Sequence, residues 1–130
     1  MVESSAAFSD IPQDQYLLQS NYFFVIRDRF PVSPGHCLIV SREPRIDFFE
    51  LNEPERHELV ELIRRVRARI EQDYSPDGYN IGMNCGRIAG QTVMHFHCHM
   101  IPRYAGDMKN PAGGIRHCVA GKGYYAAEGS

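Results

Sequence analysis

The sequence predicts an α+β domain: a mainly antiparallel five-stranded sheet with one long helix packed on a face. Three observations carry this expectation. Short runs rich in aromatic and branched residues alternate with turn formers near the start, a single stretch of helical periodicity occupies the middle, and two more strand-like runs follow it.

Taken in order, residues 1–15 are small and polar and read as a flexible tail. "YLLQS" (16–20) and "YFFVI" (22–26) read as the strands of a hairpin, with Ser20 and Asn21 at the turn. In "RDRFPVSPGHCLIVS" the turn formers Asp28, Pro31, Ser33, Pro34 and Gly35 precede a third strand, 37–40, with His36 at its mouth. "REPRIDFFEL" reads as a loop with a short helical turn. The helix comes next. Asn52 can cap it, Pro54 suits its first turn, and Glu55 stands three residues after the cap, as in a capping box. Leu59, Leu62, Ile63, Val66 and Ile70 then recur at spacings of three and four and make one apolar face. Glu53, Glu55, Glu58 and Glu61 lead while Arg64, Arg65, Arg67 and Arg69 trail, the order the helix dipole favours, and these arginines read as a solvated face. Pro76 and Gly78 end the helix. "YNIGMN" (79–84) and residues 91–101 supply the last two strands, joined by the glycine-containing "CGRIAG". The folded domain is expected over 16–104, and 105–130, rich in turn residues, as a tail lying over the site or a subunit interface.

Composition narrows the function classes. A chain of 130 residues with 43% hydrophobic and 23% charged residues suits one soluble domain. No apolar run is long enough to span a bilayer, and the first residues lack the basic start and apolar stretch of a signal peptide, so a cytoplasmic protein is expected. Cys37, Cys85, Cys98 and Cys118 form no C-x-x-C pair and read as reduced packing residues. Between Tyr79 and Lys122 the bases Arg87, Arg103, Lys109, Arg116 and Lys122 face a single acid, Asp107, a balance that suits an anionic ligand. No basic, aromatic-studded stripe argues for a nucleic-acid polymer. The "GKG" at 121–123 lacks the remainder of a phosphate-binding P-loop.

The chemistry is concentrated in "QTVMHFHCHMIPR" (91–103). On a strand, His95, His97 and His99 share one face, while Thr92, Met94, Phe96, Cys98 and Met100 share the other. Packing does not explain three imidazoles in alternation with an apolar reverse. Two chemistries would: an open metal centre, or a nucleophilic imidazole acting on phosphorus with the others as orienting and proton-bearing groups. Residues 79–103 contain no Asp or Glu to orient a metal-bound ring, whereas Asn84, Gln91, Thr92 and the glycine loop offer neutral groups and N–H donors for phosphate oxygens. Phosphate chemistry is therefore favoured, and no metal ligands are assigned.

"HFHCHMIPR" resembles the His-x-His-x-His-x-x signature of the histidine-triad (HIT) family of nucleotide hydrolases and transferases. "RDRFPVSPGHCLIV" resembles the family's first loop and strand, "NCGRIAGQTVMH" the loop entering the triad, and "GDMKNPAGGIRHCVAGKGYY" the tail of bacterial members described as diadenosine tetraphosphate hydrolases, so the likeness runs from about Tyr16 to Tyr125. It implies that His97 is the nucleophile that takes up a nucleotide, and that His99 contacts the phosphate and leaving group. It implies further that the main-chain carbonyl of His95 holds the nucleophile's other nitrogen, and that His36 completes the cluster. Asp28 would contact the ribose, Ile26 the base, and Asn84, Gln91 and Thr92 the phosphates. The resemblance also implies a homodimer with one continuous sheet and no cofactor beyond a divalent cation carried on the substrate phosphates. Arg103, Arg116 and Lys122 are further candidates for neutralising a polyphosphate. An uncharged base and an imidazolium acid are expected to coexist in the cluster. Cys98 stands where the family more often has a branched or aromatic residue and is expected in the core. Asn84 stands where some relatives have glutamine, and His117 reads as a surface-loop histidine. A nucleoside phosphoramidase or nucleotidyl transferase, a nucleotide-binding regulatory protein with vestigial turnover, and a His-metal protein are the alternatives.

Overall fold

The computed structural model describes residues 6–125; the parts of the expected tails at 1–5 and 126–130 lie outside the described residues. In chain order the elements are a short helix α1 (Ala6–Ser9), strands β1 (Leu18–Gln19), β2 (Phe23–Arg27) and β3 (Cys37–Ser41), the long helix α2 (Glu53–Ile70), and strands β4 (Gly78–Gly82) and β5 (His97–Arg103). The five strands form one sheet in the order β1-β2-β3-β5-β4, with every neighbouring pair antiparallel. The α+β architecture expected from the sequence is the observed one. Neither α1 nor α2 is long and apolar enough to cross a membrane.

Helix α2 begins where its side chains dictate. The Asn52 side chain accepts from Glu55 N at 2.9 Å while the Glu55 carboxylate accepts from Asn52 N at 2.7 Å, closing the capping box. Its apolar stripe, Leu59, Leu62, Val66 and Ile70, is buried against Phe23, Val25, Cys37, Ile39, Phe96, Cys98 and Met100. Cys98 is fully buried, as expected, and burial pushes its thiol up to about 12, so it is a packing residue. Its neighbours on β5 point the other way, and the strand alternates between half-buried and buried positions along its length.

Two departures from expectation shape the site. The motif strand starts at His97, not at Gln91, because the chain from Gly86 to Val93 is folded around the Gln91 side chain. Its Oε1 accepts from Gly86 N at 2.8 Å, and its Nε2 donates to the carbonyls of Ile46 and Val93 at 2.6 and 3.1 Å. Thr92 and Met94 are therefore not core-facing strand residues; Thr92 is exposed, and Val93 is buried on the histidine side of the sheet. The second departure is at the N-terminus. Phe8, expected in a free tail, is buried with Phe24, Ile26, Leu38, Val40 and Val93, and Ile11 and Tyr16 pack beside it. The sheet is thus covered on both faces at β2 and β3, which explains why those strands are buried at nearly every position.

Candidate active site

Register places the triad. His97 lies directly opposite Val40, and His99 opposite Leu38 on one side and Gly82 on the other, so both rings rise from the face that α2 does not cover. His95 precedes the strand. Its Nε2 is 2.7 Å from the Ser41 carbonyl, which only accepts, so His95 carries its proton there; its buried Nδ1 meets no partner among the described residues. The same logic settles His97. Its Nδ1 is 2.8 Å from the His95 carbonyl and must donate, which leaves Nε2 of the neutral ring with a free lone pair.

The other two imidazoles are linked in series. Val32 N donates to His36 Nδ1 at 3.1 Å, so the proton of neutral His36 sits on Nε2. That Nε2 is 2.9 Å from His99 Nδ1, which accepts, and the His99 proton is thereby assigned to Nε2. Asp28 joins them from the end of β2, its Oδ2 3.3 Å from His36 Nε2 and 3.9 Å from His99 Nδ1. Nothing local in the sequence of the triad signals this carboxylate; the fold supplies it from a loop far away in the chain.

Asp28, His36 and His99 bring three ligand atoms within 4.8 Å of one another, the spacing of a metal site. Ligation would need the lone pair of His36 Nε2, and hence a proton on Nδ1, where the Val32 N–H already points. The trio therefore fits a shared proton better than a resident cation. Burial pushes His36 below its ordinary value, with Asp28 opposing, and burial pushes His95 down, with the Ser41 carbonyl opposing. His99 is pushed down to about 4 by burial first and then by His97 and His36, with Asp28 opposing. At all three positions burial favours the neutral imidazole over the imidazolium.

A cavity of about 1120 Å³ opens in front of His97 and His99. Phe8, Ile11, Ile26, Leu38 and Val93 line it as one apolar cluster, and Asp28, Asn84, Gly90 and Thr92 add polar groups and glycine-loop backbone to its lining. Phe8 also sets its ring edge against His95 and His97, with centroids 5.4 and 5.3 Å apart. The sequence reading missed this residue, whose only signal was one aromatic residue in a polar stretch. Gln91, expected as a phosphate contact, turns its side chain into the loop and shapes it instead.

Two of the expected polyphosphate bases, Arg103 and Arg116, are likewise committed elsewhere. Arg103 holds Asp107 through Nε and Nη2 and Asn80 through Nη1, and Arg116 donates to the carbonyls of Lys122 and Gly123. None of Arg103, Arg116 and Lys122 lines the cavity, whereas Arg27, Arg29 and Arg69 do. His117 is half-buried and bonded to the Ala112 carbonyl at 2.8 Å, a structural member of the C-terminal segment rather than a free surface group.

Comparison with known families matches residues 11–106 to the HIT domain. The chain belongs to the HIT-domain family. Among curated relatives of this HIT protein, an uncharacterized HIT-like protein of Mycoplasma genitalium is 33% identical over 105 residues, covering 78% of this chain and 74% of that one. A bis(5'-adenosyl)-triphosphatase of Saccharomyces cerevisiae is 33% identical over 92 residues, covering 70% of this chain but 45% of its own length. Among solved structures, a hypothetical histidine triad nucleotide-binding protein of Sulfolobus tokodaii superposes with a TM-score of 0.67 at 32% identity, covering 71% of this chain and 62% of that one. The HIT protein described here thus spans less than two thirds of that solved chain and under half of the yeast enzyme.

Proposed function

We propose that this HIT protein hydrolyses nucleoside 5′-phosphoanhydrides through a covalent nucleotidyl adduct on His97, with a dinucleoside polyphosphate such as diadenosine tetraphosphate as substrate. The observation that supports this most is the bond from His97 Nδ1–H to the His95 carbonyl, which aims an unprotonated Nε2 into the cavity. The base fits the apolar lining beside Ile26, the sugar the Asp28 carboxylate, and the α-phosphate the space before His97, with Asn84, Thr92 and the loop braced by Gln91 around its oxygens.

Nε2 of neutral His97 attacks the α-phosphorus; an N–P bond forms as the bond from phosphorus to the bridging oxygen breaks. The leaving phosphate departs as its anion, held by the His99 Nε2–H, and the adduct's imidazole carries the balancing positive charge. A phosphate anion is a good leaving group, so a hydrogen bond from a neutral imidazole suffices and no imidazolium is required. Water then attacks phosphorus, an O–P bond forms, the N–P bond breaks with its electrons returning to Nε2, and the water's proton leaves to solvent. The chain needs no cofactor of its own for these steps; a divalent cation enters on the substrate phosphates.

Reduced thiols at buried Cys37 and Cys98 suit a cytoplasmic setting. The free edge of β4, with Ile81 exposed, suits pairing with a second copy, so light scattering is expected to read twice the 14.8 kDa of one chain. The function is tested by cleaving diadenosine tetraphosphate in ¹⁸O-labelled water. Equal AMP and ATP, with the label in AMP, is expected from attack at the α-phosphorus. ADP as the only product, or label in ATP alone, contradicts it. Adenosine 5′-phosphoramidate, run beside it, tells hydrolysis of an anhydride from phosphoramidase activity on the same adduct.

A further inference from the structure

Asp28 occupies an unusual position for a group that only binds substrate. Its Oδ1 is taken by Phe30 N at 2.8 Å, while Oδ2 faces the His36–His99 pair, and the side chain is only 15% exposed. His36 has a single proton to give, fixed on Nε2 by the Val32 N–H, and two acceptors for it: His99 Nδ1 at 2.9 Å and Asp28 Oδ2 at 3.3 Å. The same carboxylate lines the cavity together with Ile26, two residues before it, and with His97 and His99, so a nucleoside with its base on the apolar lining and its α-phosphate at His97 has its sugar within reach of Asp28.

We infer that Asp28 couples occupancy of the sugar position to the proton on His99. A ribose hydroxyl donating to Oδ2 competes for the carboxylate, leaves His36 Nε2–H to His99 Nδ1 alone, and so holds the His99 proton on Nε2, facing the leaving oxygen. Only hydrogen bonds change partners in this step; no proton crosses between residues. In relation to His99, Asp28 is a positioning residue that acts through His36, and the sugar hydroxyls contribute to the chemical step as well as to binding. The groups facing His99 are few enough for the effect to register. Among the described residues, His97 and His36 are the other titratable groups acting on it, and the residues opposite it, Leu38 on β3 and Gly82 on β4, carry no charge. Arg27 and Arg29, on either side of Asp28, line the same cavity.

This inference rests on the nucleotide reading above, and its test separates the two. Long-range ¹⁵N imidazole spectra of the whole chain report the tautomers of His36 and His99 without any turnover. Adenosine is expected to move both residues' signals towards the undivided His36–His99 hydrogen bond, and 2′,3′-dideoxyadenosine to leave them in place. Asp28→Asn, which keeps the size and an acceptor for Phe30 N, should lose the adenosine response. Identical responses to the two nucleosides, an adenosine response that survives Asp28→Asn, or none in the wild-type chain would each overturn the inference. In turnover, Asp28→Asn should lower kcat about tenfold with a smaller change in KM, a fraction of what a positioned proton donor contributes. A rise in KM alone would reduce Asp28 to a sugar contact. A wild-type chain that cleaves no nucleoside phosphoanhydride refutes the functional reading, and the spectra still judge the coupling.

Discussion

A carbonyl oxygen only accepts a hydrogen bond, and that asymmetry assigns the protons of this site one residue at a time. The His95 carbonyl claims the Nδ1 proton of His97, the Ser41 carbonyl claims the Nε2 proton of His95, and the Val32 N–H fixes His36, which in turn fixes His99. Neutrality has a thermodynamic signature. His99 sits at about 4 in the folded chain against an ordinary 6.5, so the unfolded chain takes up the proton first as pH falls. Its contribution to stability is whole above about pH 6.5 and is lost between there and about pH 4, where it amounts to about 3 kcal/mol. Urea unfolding at pH 7 and pH 4 should therefore show the wild-type chain losing about 3 kcal/mol more than His99→Gln over that interval. Equal losses would mean that His99 is not held neutral by its surroundings. At this scale the triad itself was legible in the alternation of His95, His97 and His99. Asp28 as a neighbour of His99, Phe8 against His97, and the inward turn of Gln91 were not, because each depends on which distant segment the fold brings alongside.

Elements with a local cause were read closely. Helix α2 starts at Asn52 because the capping box is written in four consecutive residues, and it ends where Pro76 and Gly78 follow. Glu55 has a second duty that the sequence does not announce: it is buried and receives Arg45 Nε at 3.0 Å from the loop after β3. Arg45 in turn offers its carbonyl to Phe96 N, so the helix start, that loop and the entry to β5 are tied together. Glu55→Ala should cost about 2–3 kcal/mol, more than a cap alone and less than a fully buried ion pair because Arg45 retains some solvent. Denaturant melts in which Glu55→Ala lost less than about 1 kcal/mol would show that the junction is not held this way. Strand ends were read less well. The start of β5 moved from Gln91 to His97 because alternation continues in sequence where side-chain bonds from Gln91 bend the backbone away.

Over the whole molecule, the α+β class and strand count followed from the succession of apolar runs, but the second covering of the sheet did not. The histidine face is flanked on one side by the segment containing Phe8 and on the other by the C-terminal segment. There Ile115 comes within 3.9 Å of where a Cβ on Gly82 would stand, opposite His99. That C-terminal segment is built as a closed loop: Gly113 admits the Gly123 carbonyl and Gly123 admits the His117 ring, approaches that any side chain would block. One face of the sheet thus stabilises the domain against α2, while the other holds the imidazole cluster between two flanking segments, with the His97 Nε2 lone pair facing the cavity. The measurement that tests this most directly is the intact mass of the protein quenched in acid within seconds of mixing with diadenosine tetraphosphate, beside His97→Ala treated identically. The wild-type chain should gain the mass of one adenylyl group and His97→Ala should gain none. An equal gain in both, or loss of the dinucleotide in His97→Ala at the wild-type rate, would contradict the assignment of His97 as the nucleophile.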